Sequence, residues 1–151
     1  MALFLSTHIN KIDKKGRVSV PAQWRAGLAD QAFQGVVLFP SNAHAALEGF
    51  AWNYMEELSK RLDNFDLFSA EQDDLATAVF AQSVQLPFDG DGRVILPPEL
   101  IDFAGLSDRV AFVGMGAKFQ LWSPEALDSR KEEARAKVKS GGLTIPKGGA
   151  A

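Results

Sequence analysis

DKKGRVSVP, residues Asp13–Pro21, recurs as DGDGRVILP, residues Asp89–Pro97. Asp, Gly, Arg, Val and Pro stand at the same five of the nine places, all at an offset of 76 residues. Each residue type has a physical task. A glycine adopts backbone angles that a side chain resists, so Gly16 and Gly92 can close a tight hairpin. An aspartate at the turn's start accepts hydrogen bonds from the turn's own amides, or pairs with an arginine four residues on. A short β-branched run follows, then a proline, which ends a strand and suits the first turn of a helix.

The repetition extends outward. AGLAD at 26–30 returns as AGLSD at 104–108, VVLFP at 36–40 has a loose counterpart in VAFVG at 110–114, and LEGF at 47–50 matches FQLW at 119–122 in pattern. A period this long is no solenoid. It divides the chain into a first repeat, 1–80, and a second, 81–140, followed by a loose tail, 141–151. Each repeat is expected to run alternating strand, Gly turn, short strand, short helix, two further strands and a closing helix. The short helices are PAQWRAGL and PPELIDFAGL, with Gly27 and Gly105 placed to stop them. Strands are expected at about 35–39, 45–50, 109–114 and 118–122. Trp52, Met55, Leu58 and Leu62 fall at helical spacing. Ser69 opens a further helix through Phe80, and Ser123-Pro124 opens the last one.

Composition sets the limits. With 151 residues, 46% hydrophobic and 23% charged, the chain can bury a core. It has no cysteine, which removes disulfides, thiolate metal sites and cysteine nucleophiles. No basic leader and no run of about 20 apolar residues is visible, so the expected compartment is the cytoplasm. The net charge of −3 is unevenly spread. Residues 1–30 carry Lys11, Lys14, Lys15, Arg17 and Arg25 against Asp13 and Asp30, whereas residues 31–85 carry eight acidic groups against Lys60 and Arg61. This is a local basic surface on an acidic body.

The basic surface centres on the first turn. Lys11, Lys14, Lys15 and Arg17, grouped around Gly16, suit phosphate contact, and an arginine fork also reads a guanine edge. One such loop alone reads more readily as a solvated hairpin with an Asp–Arg brace than as a binding turn. Its recurrence at Asp89, Gly92 and Arg93 favours a functional turn.

Asp-x-x-x-Arg, a strand and a helix-opening proline together resemble the AbrB-like swapped-hairpin DNA-binding fold. Two copies in one chain, DKKGRVSVPAQWR and DGDGRVILPPEL, are similar to the MraZ family of bacterial transcriptional regulators, over about residues 1–135. The resemblance implies an α+β, mainly β fold: a duplicated swapped-hairpin β-barrel with pseudo-twofold symmetry and flanking helices. It further implies closed rings of identical subunits and binding to short DNA repeats upstream of the operon for cell division and wall synthesis, the protein's own gene included. Nucleoid association would follow. The family's conserved pairs map to Asp13 with Arg17 and Asp89 with Arg93. The second turn lacks the lysines of the first. The DNA-facing set is therefore Lys11, Lys14, Lys15, Gly16 and Arg17, with Asp13, Asp89, Gly92 and Arg93 shaping the turns.

Other readings are weaker. DGDGR lacks the later glutamate of a calcium loop and has an arginine inside it. Gly114-Met115-Gly116 reads as a turn between strands, not a nucleotide site. His8 is a lone strand histidine and His44 an exposed loop residue. Trp24, Trp52 and Trp122 read as core or interface anchors. Glu56, Glu57, Asp73 and Asp74 read as a charged helix face. No nucleophile–base–acid set is visible, so no enzyme, metal or cofactor is expected. Lys137 and Lys139 are a second basic candidate. The main alternative is a ring-forming assembly protein that ignores DNA, since function belongs to the site.

Overall fold

In the computed structural model, which describes residues 2–148, the strands are β1 (Thr7–Lys11), β2 (Arg17–Ser19), β3 (Gly35–Pro40), β4 (Leu47–Phe50), β5 (Val84–Pro87), β6 (Arg93–Ile95), β7 (Arg109–Gly114) and β8 (Phe119–Trp122). The helices are α1 (Ala22–Gly27), α2 (Trp52–Leu62), α3 (Ala70–Leu75), α4 (Pro98–Phe103) and α5 (Pro124–Gly141). One antiparallel sheet runs β1-β7-β8-β4-β3-β5, and a two-stranded ribbon pairs β2 with β6.

That order is symmetric. Exchanging β1 with β5, β2 with β6, β3 with β7 and β4 with β8 returns it reversed. Register agrees: His8 faces Phe112 as Val84 faces Leu38, and Lys11 faces Arg109 as Pro87 faces Gly35. Two pairs lie on the pseudo-twofold axis, Val18 with Val94 in the ribbon and Glu48 with Gln120 in the sheet.

The strands on either side of each turn do not form a simple hairpin. After the Asp13–Arg17 turn, β1 continues onto β7 and β2 onto β6. Burial accounts for the exchange. Val18, Val20, Val94 and Leu96 are nearly inaccessible and share one core with Phe4, Trp24, Leu38, Phe112, Phe119 and Leu121. The ribbon thus seals the side of the core that the large sheet leaves open, using apolar residues from both copies. Trp24 sits edge-on to Phe4 and Phe112, and its indole N–H donates to the Leu5 carbonyl at 3.1 Å. Among the described residues, this is a mainly β, α+β fold of exchanged hairpins with flanking helices.

The outer face of the sheet is covered at two counterpart places. The α2 helix and the turn after α3 pack over Val37, Phe39 and Phe50, and α5 packs over Ala111 and Trp122 through Leu127. Both faces of β3 are therefore buried, which explains its unbroken apolar run.

Several local expectations change. Gly27 ends α1 without a left-handed angle, and Leu28 caps it at φ −101°, whereas Gly105 does turn left-handed at φ +62°. The alternating segment FLSTHINKID, residues 4–13, expected as one strand, is a strand only from Thr7 to Lys11, because Ser6 at φ +72° breaks the extended run after Phe4. Ser69 caps its helix by accepting from the Gln72 amide at 3.1 Å, but the α-helix relaxes into a π-helical turn over Ala76–Phe80. His44 is half-buried against Trp122, with ring centroids 5.2 Å apart. Trp24 and Trp122 are core residues, and Trp52 is half-buried. The α5 helix extends to Gly141, and residues 143–148 have no regular structure; the end of the expected tail, 149–151, lies outside the described residues.

Candidate nucleic-acid interface

The two turns are built by the same bonds. In the first, the Asp13 amide donates to the Arg17 carbonyl and the Gly16 amide to the Asp13 carbonyl, both at 3.0 Å. Asp13 Oδ1 accepts from the amides of Lys15 and Arg17 at 2.9 Å, and Asp13 Oδ2 accepts from Arg17 Nε at 2.6 Å. In the second, Asp89 Oδ1 accepts from the amides of Asp91 and Arg93 at 2.9 Å, and Oδ2 from Arg93 Nε at 2.9 Å. Gly16 and Gly92 take φ +83° and +75°, the left-handed region that glycine enters without strain. The four-residue spacing of aspartate and arginine lets one carboxylate gather two amides and a guanidinium.

Electrostatics follow from this geometry. The Arg17 amide, aided by the Arg17 guanidinium and the Lys15 amide, holds the Asp13 carboxyl below its ordinary 3.8 despite partial desolvation. The Arg93 amide leads the same effect at Asp89.

Each turn docks on the other copy. The Leu96 amide donates to the Gly16 carbonyl at 2.8 Å, and the Val20 amide to the Gly92 carbonyl at 3.2 Å. A Cβ at Gly16 would stand 2.8 Å from the Leu96 carbonyl oxygen, whereas one at Gly92 would meet the Arg25 guanidinium. Gly16 is thus buried and shapes the turn while presenting little surface of its own.

What differs is the outward chemistry. Lys11, Lys14 and Lys15 are exposed, and Arg17 is about one-third exposed with only its Nε engaged among the described residues. The second turn has Gly90 and Asp91 where the first has Lys14 and Lys15. Asp91 Oδ2 also accepts from Arg93 Nη2 at 3.4 Å, occupying the edge that Arg17 leaves open. The brace is common to both turns, so bracing does not set Arg93 apart from Arg17. Asp89 and Asp91, the carboxylates of the calcium-like DGDGR stretch, are both engaged with Arg93. Lys137 lies far along α5 and pairs with Glu133 at 3.2 Å. Arg109 opposite Lys11 and Arg25 beneath Gly92 escape a local reading, because strand exchange sets both positions.

Two Asp–Arg turns on exchanged strands, around a pseudo-twofold core, define the AbrB-like swapped-hairpin class. Within it, residues 79–139 match the family described as "MraZ protein, putative antitoxin-like". Over 143 residues the chain is 43% identical to "Transcriptional regulator MraZ" of Gluconobacter oxydans (strain 621H), covering 93% of this chain and 87% of the relative. It is 42% identical over 149 residues to the protein of that name from Gluconacetobacter diazotrophicus, covering 97% and 93%. With the Rickettsia bellii (strain OSU 85-389) protein of that name it shares 46% over 126 residues, covering 83% and 84%. The chain belongs to the MraZ family.

Proposed function

We propose that this chain regulates transcription by binding duplex DNA at short repeats upstream of the division and wall-synthesis operon, its own gene included. Lys14, Lys15 and Arg17, with Lys11, make the contact, and Asp13, Asp89, Gly92 and Arg93 hold the two turns. Residues 1–80 and 81–140 are two copies of one module, and a ring of identical chains repeats the basic turn on one face. The protein works in the cytoplasm at the nucleoid.

One observation carries this reading. The turns share every brace bond, yet only the first points exposed lysines outward. Folding alone does not demand those charges, because the second turn forms without them. The names of the relatives agree with regulation. Assembly is supported by the exposed Leu3, Leu5 and Ile9 on and before β1, an edge strand of the sheet. Repeating a weak contact around a ring raises affinity through effective concentration.

The test is a mobility-shift assay with DNA from upstream of the protein's own gene, beside light scattering. A salt-sensitive shift that unrelated DNA of equal length does not reproduce supports the reading. A large assembly that ignores both DNAs means a scaffold instead.

A further inference from the structure

We infer that Arg109 works with Lys11 as a second DNA-phosphate site beside the first turn, an inference that rests on the turn meeting DNA as proposed above. Lys11 and Arg109 are directly opposite in the β1–β7 register, and both are exposed. Opposed residues of antiparallel strands share one face, and like charges placed so repel and destabilise the pair. Nothing nearby relieves this well. Lys11 makes no ion pair among the described residues, and Arg109 has Glu125 at a long 3.8 Å, with the Glu125 side chain 78% exposed.

The repeat supplies an internal control. The counterpart pair is Pro87 opposite Gly35, so the fold closes this ladder without charge. Position also fits. The Ile12 amide donates to the Asp108 carbonyl at 2.8 Å, so the pair sits where β1 runs into the turn that carries Lys14 and Lys15. Two exposed cations on one face at the turn's base and two at its tip supply four positive charges around one end of β1, a concentration that suits phosphate contact. The guanidinium fork adds bidentate contact to a phosphate oxyanion.

The experiment measures the affinity of the full-length protein for upstream duplex DNA across a fourfold salt range, for wild type, Arg109→Gln, Glu125→Gln and Lys15→Gln, with melting temperature and light scattering on each. Arg109→Gln should lower the magnitude of the logarithmic salt slope by about 0.9 or more, which over this range is about a 3-fold change in salt sensitivity. Glu125→Gln should act in the opposite direction and tighten binding, because it frees Arg109. If Arg109 serves only its pair with Glu125, the two variants shift melting alike and leave the slope at the wild-type value, and the inference falls. If Arg109→Gln changes the assembly's size and not the slope, the partner is an acidic group of another copy and the inference again falls. Should Lys15→Gln also leave the slope unchanged, the reading of the turn itself fails; a flattened Lys15→Gln slope beside an unchanged Arg109→Gln slope defeats this inference alone.

Discussion

Val18 faces Val94 across the two-stranded ribbon, and each is the other's counterpart in the repeat. Both are almost wholly buried, at 1% and 2% exposure. A residue that meets its own counterpart lies on the symmetry axis, so the core here is a self-complementary contact inside one chain, as at a twofold dimer interface. Val18→Ala and Val94→Ala should each destabilise by about 2 kcal/mol, from reduced burial plus a small cavity. They should do so nearly equally, and the double variant should depart from the sum because the sites touch. Denaturant unfolding measures all three. A cost confined to one valine would mean that the ribbon is not packed symmetrically.

The two turn glycines share a backbone angle but not a neighbour. Alanine at either position carries a left-handed penalty of about 1–2 kcal/mol. At Gly16 the new Cβ also meets the Leu96 carbonyl oxygen, which belongs to a bonded backbone and cannot withdraw. At Gly92 it meets the end of the Arg25 side chain, which can move aside at the cost of its Nε hydrogen bond to the Val20 carbonyl, a smaller loss than shifting a bonded backbone. Gly16→Ala should therefore cost more than Gly92→Ala in thermal unfolding. Equal costs would show that the angle alone decides.

Asp13 and Asp89 are each held below the ordinary aspartate value of 3.8. A depressed carboxyl contributes stability that is fully present above its unfolded value and disappears as pH falls through its folded one. These two groups should thus make the protein lose stability progressively as pH falls below about 4. Asp13→Asn should be less stable than wild type at neutral pH and lose less on acidification, since asparagine has no proton to gain. Melting temperature between pH 7 and pH 3 is the measurement, and parallel curves for wild type and variant would refute it.

Much of this was legible in the chain, and the limits have physical reasons. The Asp-x-x-x-Arg turn is local: every bond of its brace joins residues within four positions, so its shape follows from DKKGR alone. The short helices and Ser caps are local too. Strand partners are not. Nothing near Thr7–Lys11 indicates that its partner is Arg109–Gly114, about a hundred residues on, and so the cation opposite Lys11 stayed hidden. The π-helical turn at Ala76–Phe80 answers to packing of Val79 and Phe80 over β3, which helical periodicity alone does not encode. Arg25 reads as one more basic residue of the first copy, yet it lies beneath the second turn.

Glu48 offers a test of the axis at its other end. Its carboxylate is buried between copies, accepting from Lys118 Nζ at 2.8 Å and from Gln120 Nε2 at 3.1 and 3.2 Å. Burial pushes this carboxyl upward, but the Lys118 and Gln120 bonds together outweigh it and leave it below its ordinary 4.5. Lys118→Met should leave that charge without its counter-ion. The cost should be about 1–3 kcal/mol, less than for a fully buried pair because Lys118 remains one-third exposed. Glu48→Gln in the same background should recover part of that cost. A double variant no more stable than Lys118→Met would show that the buried charge is not the source.

The last prediction separates the roles of the two arginines. Arg17 and Arg93 brace their turns through the same Nε bond, and alanine keeps the backbone amide bond in both, so replacing either by alanine should lower the melting temperature by a similar amount. Their free edges differ. Arg93 Nη2 is engaged with Asp91, and the second turn has Gly90 and Asp91 in place of the two lysines, so that turn is net acidic. Arg17 keeps its outer edge open beside Lys14 and Lys15. Removing one phosphate-binding cation lowers the magnitude of the logarithmic salt slope by about 0.9. Arg17→Ala should therefore weaken DNA binding and flatten that slope, whereas Arg93→Ala should leave the slope of the folded protein at the wild-type value. Measuring both variants well below their melting temperatures removes unfolding from the comparison. If Arg93→Ala flattens the slope as much as Arg17→Ala, both turns meet the DNA and the difference in their charge does not assign their roles.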